Sequence, residues 1–316
     1  MLPLGTLLFI HQQAFLVRLD GEIVTQVVMV LSTSLFFVYV NSVMFFTLRS
    51  KPVFRETSRY ILFANMVLSD SILLLSNTVL YLFALAYLYV FKAICALVIL
   101  FCIATYNFSP LNLAVMSLER YVAICYPLRH AEITTQKRTN IAVGVVWLLA
   151  SLNVVIDMFY ITVTMPHSFN APTFCTRERL LIAKWQLDFF YGLNSFYFVS
   201  VAVIIIYTYV AIMIAARSIS TDKDSAKKAR KTVLLHLIQL GLCLTSFLYG
   251  ILERIMSTIP VVLFLHLRVL LFFVLIILPR CLSPLIYGLR DDTFRPLFLS
   301  YFRCRPGSIK PVMISQ

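Results

Sequence analysis

Few residues of this chain can do chemistry, and most of those stand in apolar surroundings. Glu119 and Arg120 sit side by side at the end of a long apolar run, followed by the proline-led basic exit Pro127-Leu128-Arg129-His130. Asp70 is a lone carboxylate inside a second apolar run, and Arg280 a guanidinium inside another. A charge held in hydrocarbon costs about 3 kcal/mol by insertion scales. Glu119 and Arg120 therefore belong at the water boundary, where each can screen the other, as a stop-transfer flank or as a polar switch. Asp70 lies too deep for that escape and needs a partner. No cysteine pair has metal-ligand spacing and the five histidines are scattered, so no metal site is expected. There is no GxGxxG, Walker loop or HExxH. Asp70 and Asp157 fall on different runs at opposite depths, so paired-carboxylate catalysis fails as well; neither an enzyme nor a cofactor is expected.

The elements that must position these groups are membrane spans. Of the 316 residues 60% are hydrophobic and 13% charged, and the mean hydropathy is +0.89. A soluble chain carries roughly a quarter charged residues. Seven apolar segments reach or exceed the roughly 20 residues that a helical span needs: Ile23–Leu48, Ser58–Ala86, Lys92–Tyr126, Arg138–Thr162, Trp185–Ala216, Ala226–Met256 and Val261–Tyr287. After them Phe294, Leu297, Phe298, Tyr301 and Phe302 recur at helical spacing in Asp291–Phe302, which suits an amphipathic helix lying in the interface. The expected fold is all-α: a seven-helix transmembrane bundle over 23–303 that includes this helix, with a short tail at 1–22 and another at 304–316. The tail before the first span is too short to cross and lacks the basic start of a signal peptide. Internal repeats, paired broken helices and a ring of pore charges are all missing, which disfavours a transporter or channel.

The net charge of +13 falls in short clusters between spans, the pattern of the positive-inside rule rather than of a nucleic-acid groove. One side collects Arg49, Lys51, Arg55 and Arg59, then Arg129, Lys137 and Arg138, then the basic stretch Arg217 to Lys231. That bias puts Arg120 and the C-terminus in the cytoplasm and the N-terminus outside, in a multi-pass membrane protein. Only Cys95 and Cys175 of the seven cysteines then stand where extracellular chemistry can oxidise them. The stretch Ser218 to Lys231 suits an acidic partner or anionic lipid, or is a solvated flank. Cys304 is either palmitoylated or unmodified.

In this order and spacing the residues resemble the rhodopsin-like (class A) G-protein-coupled receptors. Glu119-Arg120-Tyr121 resembles their (Asp/Glu)-Arg-Tyr signature, and Ser283-Pro284-Leu285-Ile286-Tyr287 their Asn-Pro-x-x-Tyr. Asn41, Asp70 and Trp147 match reference positions of spans one, two and four. Within that family Met116 to Leu128 resembles the Met-Ala-Tyr-Asp-Arg-Tyr-Val-Ala-Ile-Cys-x-Pro-Leu hallmark of odorant receptors. Tyr249-Gly250 and Pro284 to Arg290 are similar to further odorant-receptor motifs. Glu119 for Asp, Ser283 for Asn and Leu248 for Phe depart from the pattern, and point to a divergent, fish-type odorant receptor.

The resemblance implies a receptor that binds a small organic ligand from outside and promotes nucleotide exchange on a heterotrimeric G protein. Arg120 would be held by Glu119 at rest, then swing to pair with Tyr207 and Tyr287, although either tyrosine can also be an ordinary interfacial residue. A disulfide between Cys95 and Cys175 is implied. The family commonly holds sodium at Asp70, with Ser109 and Ser283 nearby. Arg280, one turn before Pro284, projects toward the same pocket, so an Asp70–Arg280 ion pair is expected in place of sodium; the alternative is that Arg280 points into a hydrated crevice. The implied ligand pocket takes Cys102, Ile103, Tyr106 and Asn107 from span three and Tyr191 and Ser195 from span five. Tyr249, Leu252 and Glu253 from span six and Phe273 and Ile277 from span seven complete it. Cys102 stands where amine receptors carry an aspartate, which disfavours amines. A non-olfactory small ligand is the rival reading.

Overall fold

A computed structural model describes residues 21–85, 89–165, 169–175, 180–219, 238, 241–242, 252, 267, 270–291 and 293–303. In chain order the helices are α1 (Gly21–Ser50), α2 (Pro52–Glu56) and α3 (Ser58–Leu85), then, after β1 (Tyr89–Phe91), α4 (Lys92–Cys125), α5 (His130–Ile133) and α6 (Gln136–Thr164). Strand β2 (Pro172–Phe174) precedes α7 (Lys184–Ile219), and α8 (Leu278–Arg290) and α9 (Phe294–Phe302) close the chain. Five helices among the described residues are long and apolar enough to cross a membrane: Val24–Ser50, Ser58–Phe83, Lys92–Cys125, Gln136–Thr164 and Lys184–Ala215. They coincide with the first five expected spans to within a few residues. The sixth, Ala226–Met256, lies outside the described residues except at four positions. The seventh is described at Leu267 and from Leu270 on, and its helix runs on through α8 to Arg290.

Backbone N–H and C=O groups in hydrocarbon have no water to bond, so apolar runs of this length close as continuous helices. Their hydroxyl side chains obey the same rule. Thr25, Ser42, Thr47, Ser71, Thr78 and Thr162 each donate to the carbonyl four residues earlier at 2.7 Å.

Helix α4 is the centre, packed against α3, α6 and α7. The largest apolar cluster joins Val40 and Met44 of α1, Phe63 and Met66 of α3, Phe108 of α4 and Val146 of α6. Trp147 stacks on Phe108 with ring centroids 4.2 Å apart. The cluster also takes in α9. Phe294, Leu297 and Phe298 are buried, Phe294 lies edge-on to Phe54 and Phe63, and Tyr301 meets Phe46 at 5.3 Å. The apolar face of α9 is thus turned into the protein. Gly288 permits this docking: a Cβ there would stand 3.0 Å from Phe294 Cε1 and 3.3 Å from Met44 Cε.

Asp291 anchors the turn into α9. Its Oδ1 accepts from the backbone N–H of Thr293 and Phe294, at 3.0 and 2.9 Å. Its Oδ2 lies 2.7 Å from Arg59 Nη2, and the Tyr60 hydroxyl donates to Oδ1 at 3.0 Å. Arg59 Nη2 also bonds the Tyr60 hydroxyl and its guanidinium lies 4.4 Å from that ring centroid, so one carboxylate ties α9 to the start of α3.

Candidate functional site

Asp70, midway along α3, is 1% exposed, and Arg280, in the first turn of α8, is 3% exposed. Arg280 Nη1 donates to Asp70 Oδ1 at 3.4 Å, and Ser109 Oγ of α4 donates to the same oxygen at 2.8 Å. Ser69 Oγ lies 3.3 Å from Ser109 Oγ. The second arm of the guanidinium has a separate use. Pro110 lies inside α4 and has no N–H, so the Tyr106 carbonyl four residues earlier loses its helical donor. Arg280 Nη2 donates to that carbonyl at 3.4 Å, and its guanidinium lies 5.8 Å from the Tyr106 ring centroid. One cation thus answers a buried carboxylate and a carbonyl that proline has stripped. Asn41 is fully buried beside α3, and its amide has no hydrogen-bond partner among the described residues. The side chain of Ser283 lies outside the described residues.

At the far end of α4, Arg120 Nε lies 3.7 Å from Glu119 Oε2. Glu119 has a second neighbour that sequence reasoning missed, His130, whose Nε2 lies 3.3 Å from Oε1. Tyr121 packs between Tyr126 and Tyr207, with centroids 5.8 and 6.0 Å away. Tyr207 is therefore beside the Arg120 mouth, its ring against Tyr121. Pro284 is buried, and the side chain of Tyr287 lies outside the described residues. Leu128, in the single turn Pro127–Arg129, is 95% exposed next to this mouth, a second residue the sequence reading passed over.

At the opposite end the Cys95–Cys175 disulfide is present, its Cα atoms 5.4 Å apart and both cysteines buried. It lies beside the antiparallel pair β1–β2, in which Val90 faces Thr173. It closes a separation of 80 residues, which removes about 4.5 kcal/mol of loop entropy from the unfolded chain. Buried Asp157 accepts from Gln186 Nε2 at 3.0 Å, and Gln186 Oε1 accepts the backbone N–H of Ile182 and Ala183. That fixes the entry to α7 and gives Asp157 a structural use.

The residues assigned to the ligand pocket do not all converge. Cys102 Sγ donates to Asn77 Oδ1 at 3.4 Å, and Tyr106 lies next to it over Arg280. Ile103 packs on the cluster around the disulfide. Asn107 turns away: it is 1% exposed and its amide faces the Ala150 carbonyl of α6 at 3.5 Å. Phe273 and Ile277 pack with Val30, Leu74 and Cys281, toward α1 and α3. They sit in a widened π turn, Phe272–Ile277, which rotates the following face away from the register of a regular helix. Tyr191 and Ser195 stand on the exposed face of α7. Tyr249 and Glu253 lie outside the described residues, and of that trio only Leu252, half-buried, is described.

Comparison with known proteins converges on one family. Residues 40–287 match the model of the 7 transmembrane receptor (rhodopsin family). Odorant receptor 131-2 of Danio rerio is 34% identical over 268 residues, covering 84% of this chain and 82% of its own length. Olfactory receptor 2M5 of Homo sapiens is 28% identical over 75% of this chain and 77% of its own length. Olfactory receptor 52A5 of Homo sapiens is 29% identical over 60% of this chain and 61% of its own length.

Proposed function

Because the chain belongs to the odorant receptors of the rhodopsin (class A) family of seven-transmembrane receptors, we propose that it binds a small organic molecule from outside the cell and promotes nucleotide exchange on a heterotrimeric G protein. The family consists of receptors rather than enzymes, and its apolar helices make the chain a multi-pass membrane protein. The orientation that fits has residues 1–22 outside, residues 304–316 in the cytoplasm, and the Glu119–Arg120 mouth facing the cytoplasm of a cell bounded by its plasma membrane. The observation that carries the reading is that mouth: a partly exposed guanidinium beside a largely buried carboxylate, next to a leucine that is 95% exposed.

The chemistry is a shift between two populations. A ligand moves the balance only by its differential affinity for the two arrangements. At rest Glu119 restrains Arg120. On activation Arg120 leaves for the tyrosines of the mouth, Tyr207 and Tyr287, and for the partner, while Leu128 fills an apolar recess of the G protein. Burying one exposed leucine contributes roughly 1.5–3 kcal/mol, enough to place the partner over the mouth. In the outer half, Cys102 and Tyr106, with Arg280 beneath, form the floor of the ligand site, and Ile103 stands beside them. Such a lining suits a small organic odorant. The Asp70–Arg280 pair takes the place of a sodium ion, since the guanidinium already answers the carboxylate.

The test is expression in a reporter cell with a cAMP readout and an odorant panel, followed by nucleotide exchange on a purified G protein. Arg120→Ala is expected to abolish the response, and Leu128→Ala to reduce it roughly tenfold or more, both with normal surface levels. Exchange indifferent to the loss of Arg120 with an active odorant bound would overturn the reading.

A further inference from the structure

Arg280 spends only part of its guanidinium on the protein. Nη1 donates to Asp70 and Nη2 to the Tyr106 carbonyl, whereas Nε is buried and meets no acceptor among the described residues. The residue is 3% exposed, and a buried donor left unmade is expensive. In a planar guanidinium the Nε–H projects from the same edge as Nη2, the edge that matches a pair of oxygens, while Nη1 belongs to the other arm. The unmet donor is therefore on the edge turned to Tyr106 of α4, not on the arm turned to Asp70.

Around that edge the acceptors are already engaged and donors remain. The Tyr106 carbonyl is taken by Nη2. One turn outward along α4, the Cys102 thiol donates to Asn77 Oδ1 of α3 at 3.4 Å, which uses the acceptor of that amide and leaves its Nδ2 donors. Asn77, Cys102 and Tyr106 are half-buried, and their contacts place them where α3, α4 and span seven meet. Farther out, Tyr81 of α3 stacks on Phe272 of span seven with ring centroids 6.1 Å apart. Both rings pack on the cluster of Val30, Leu74 and Ile277, so the walls above the polar group are apolar.

We propose that this seam holds the head of the ligand, and that the head is an uncharged carbonyl, as in an aldehyde or ketone, whose oxygen accepts from Arg280 Nε beside the Tyr106 carbonyl. The assignment deepens the receptor reading above and rests on it. Charge decides among the possible heads. Asp70 and Arg280 already cancel, so a carboxylate would carry an uncompensated negative charge into the dry interior. An ammonium would bring a second cation to a site that offers it donors. A hydroxyl could accept from Nε, but its own proton would find the Tyr106 and Asn77 oxygens occupied. Tyr106 holds half of the guanidinium edge, which leaves place for one oxygen rather than the two of a carboxylate. A carbonyl answers the donor and requires nothing in return.

The experiment uses purified full-length receptor in lipid nanodiscs and reads apparent Kd from the concentration dependence of the ligand-induced shift in thermal unfolding. The probes are straight-chain compounds of matched length, at several lengths, ending in an aldehyde, a methyl ketone, a terminal alkene, a carboxylic acid or a primary amine. Aldehyde and ketone are expected to bind roughly tenfold to a hundredfold more tightly than the alkene of the same shape, the effect of one hydrogen bond from a charged donor. Acid and amine are expected to bind more weakly than the aldehyde. In Asp70→Asn/Arg280→Met, which buries no net charge, the advantage of aldehyde over alkene should vanish. The infrared stretch of an isotope-labelled ligand carbonyl is a readout that altered packing alone would not move: it should fall to lower frequency on wild type and not on the double variant. Should the double variant fail to fold, the wild-type series and the infrared band decide by themselves. Equal binding of aldehyde and alkene, tighter binding of the acid, an advantage that survives the double variant, or no shift from any carbonyl compound would each overturn the inference. Nucleotide exchange on a purified G protein with the same compounds separates the two readings. Exchange without carbonyl preference sinks this inference alone, and carbonyl-selective binding without exchange upholds the site and sinks the signalling step.

Discussion

Removing one member of the Asp70–Arg280 pair should cost more than removing both. At 3.4 Å and an effective dielectric of about 20, the attraction between unit charges is roughly 5 kcal/mol. Both groups are almost fully buried, so screening by solvent takes little of it away. Asp70→Asn leaves a buried guanidinium without a counter-charge, and losses on breaking such pairs are about 3–5 kcal/mol. That is a large fraction of a typical folding stability of about 5–15 kcal/mol. Arg280→Met leaves the carboxylate alone and also strips the Tyr106 carbonyl, adding about 1–3 kcal/mol. In Asp70→Asn/Arg280→Met no net charge remains buried, and only the carbonyl term persists. The double variant should therefore be more stable than either single one, with a coupling of at least roughly 2 kcal/mol. The assay is thermal unfolding of detergent-purified receptor, paired with surface display of the tagged chain, over the four members of the cycle. Strictly additive losses, or an Asp70→Asn protein as stable as wild type, would refute the ion-pair account.

Three further outcomes follow from geometry elsewhere. Gly288→Ala gains about 1 kcal/mol of helix propensity, but its Cβ meets a Phe294 ring wedged among Phe54, Phe63 and Phe298. Overpacking of about 1–3 kcal/mol outweighs the gain, so the melting midpoint should fall; a rise would show that α9 yields freely. Asp291→Ala loses the cap of α9 and the Arg59 pair together, while Asp291→Asn keeps a capping oxygen. The alanine variant should lose about 1–3 kcal/mol and the asparagine variant under about 1, and equal losses in thermal unfolding would contradict the capping role. Cys95→Ala should abolish surface display, Cys175→Ala should match it, and the double variant should be no worse than either; normal display of Cys95→Ala would count against the bridge's structural importance.

The first five spans were legible because length and apolarity are enough to specify a helix in hydrocarbon, and their limits came within a few residues. Asp70 and Arg280 were readable as partners since opposite charges deep in apolar runs have few other ways to be neutralised. The pocket was less legible. Register arguments assume a regular helix, and the π turn at Phe272–Ile277 rotates Phe273 and Ile277 toward α1 and α3 instead. Asn107, three residues before Pro110, likewise turns to α6. His130 and Asp291 gave no signal because each acts through a turn, where side-chain direction depends on backbone angles that no periodicity encodes. The burial of Gln186 against Asp157 had the same cause: a single amide spans a loop and a helix start. One signal was available and unused. Pro110 inside an apolar run announces a carbonyl at Tyr106 without its helical donor, and an arginine in another run is a natural donor to it.

That last contact has a historical consequence. If Pro110 gave way to an ordinary residue, the returning N–H would reclaim the Tyr106 oxygen and leave one arm of the guanidinium idle; if Arg280 changed first, the oxygen would be stranded in the dry interior. Either first step passes through a worse protein. Imino acid and guanidinium are therefore expected to arise or vanish as a couple among descendants of a common ancestor, and sequencing such relatives for one without the other is the simplest way to see whether the dependence is real.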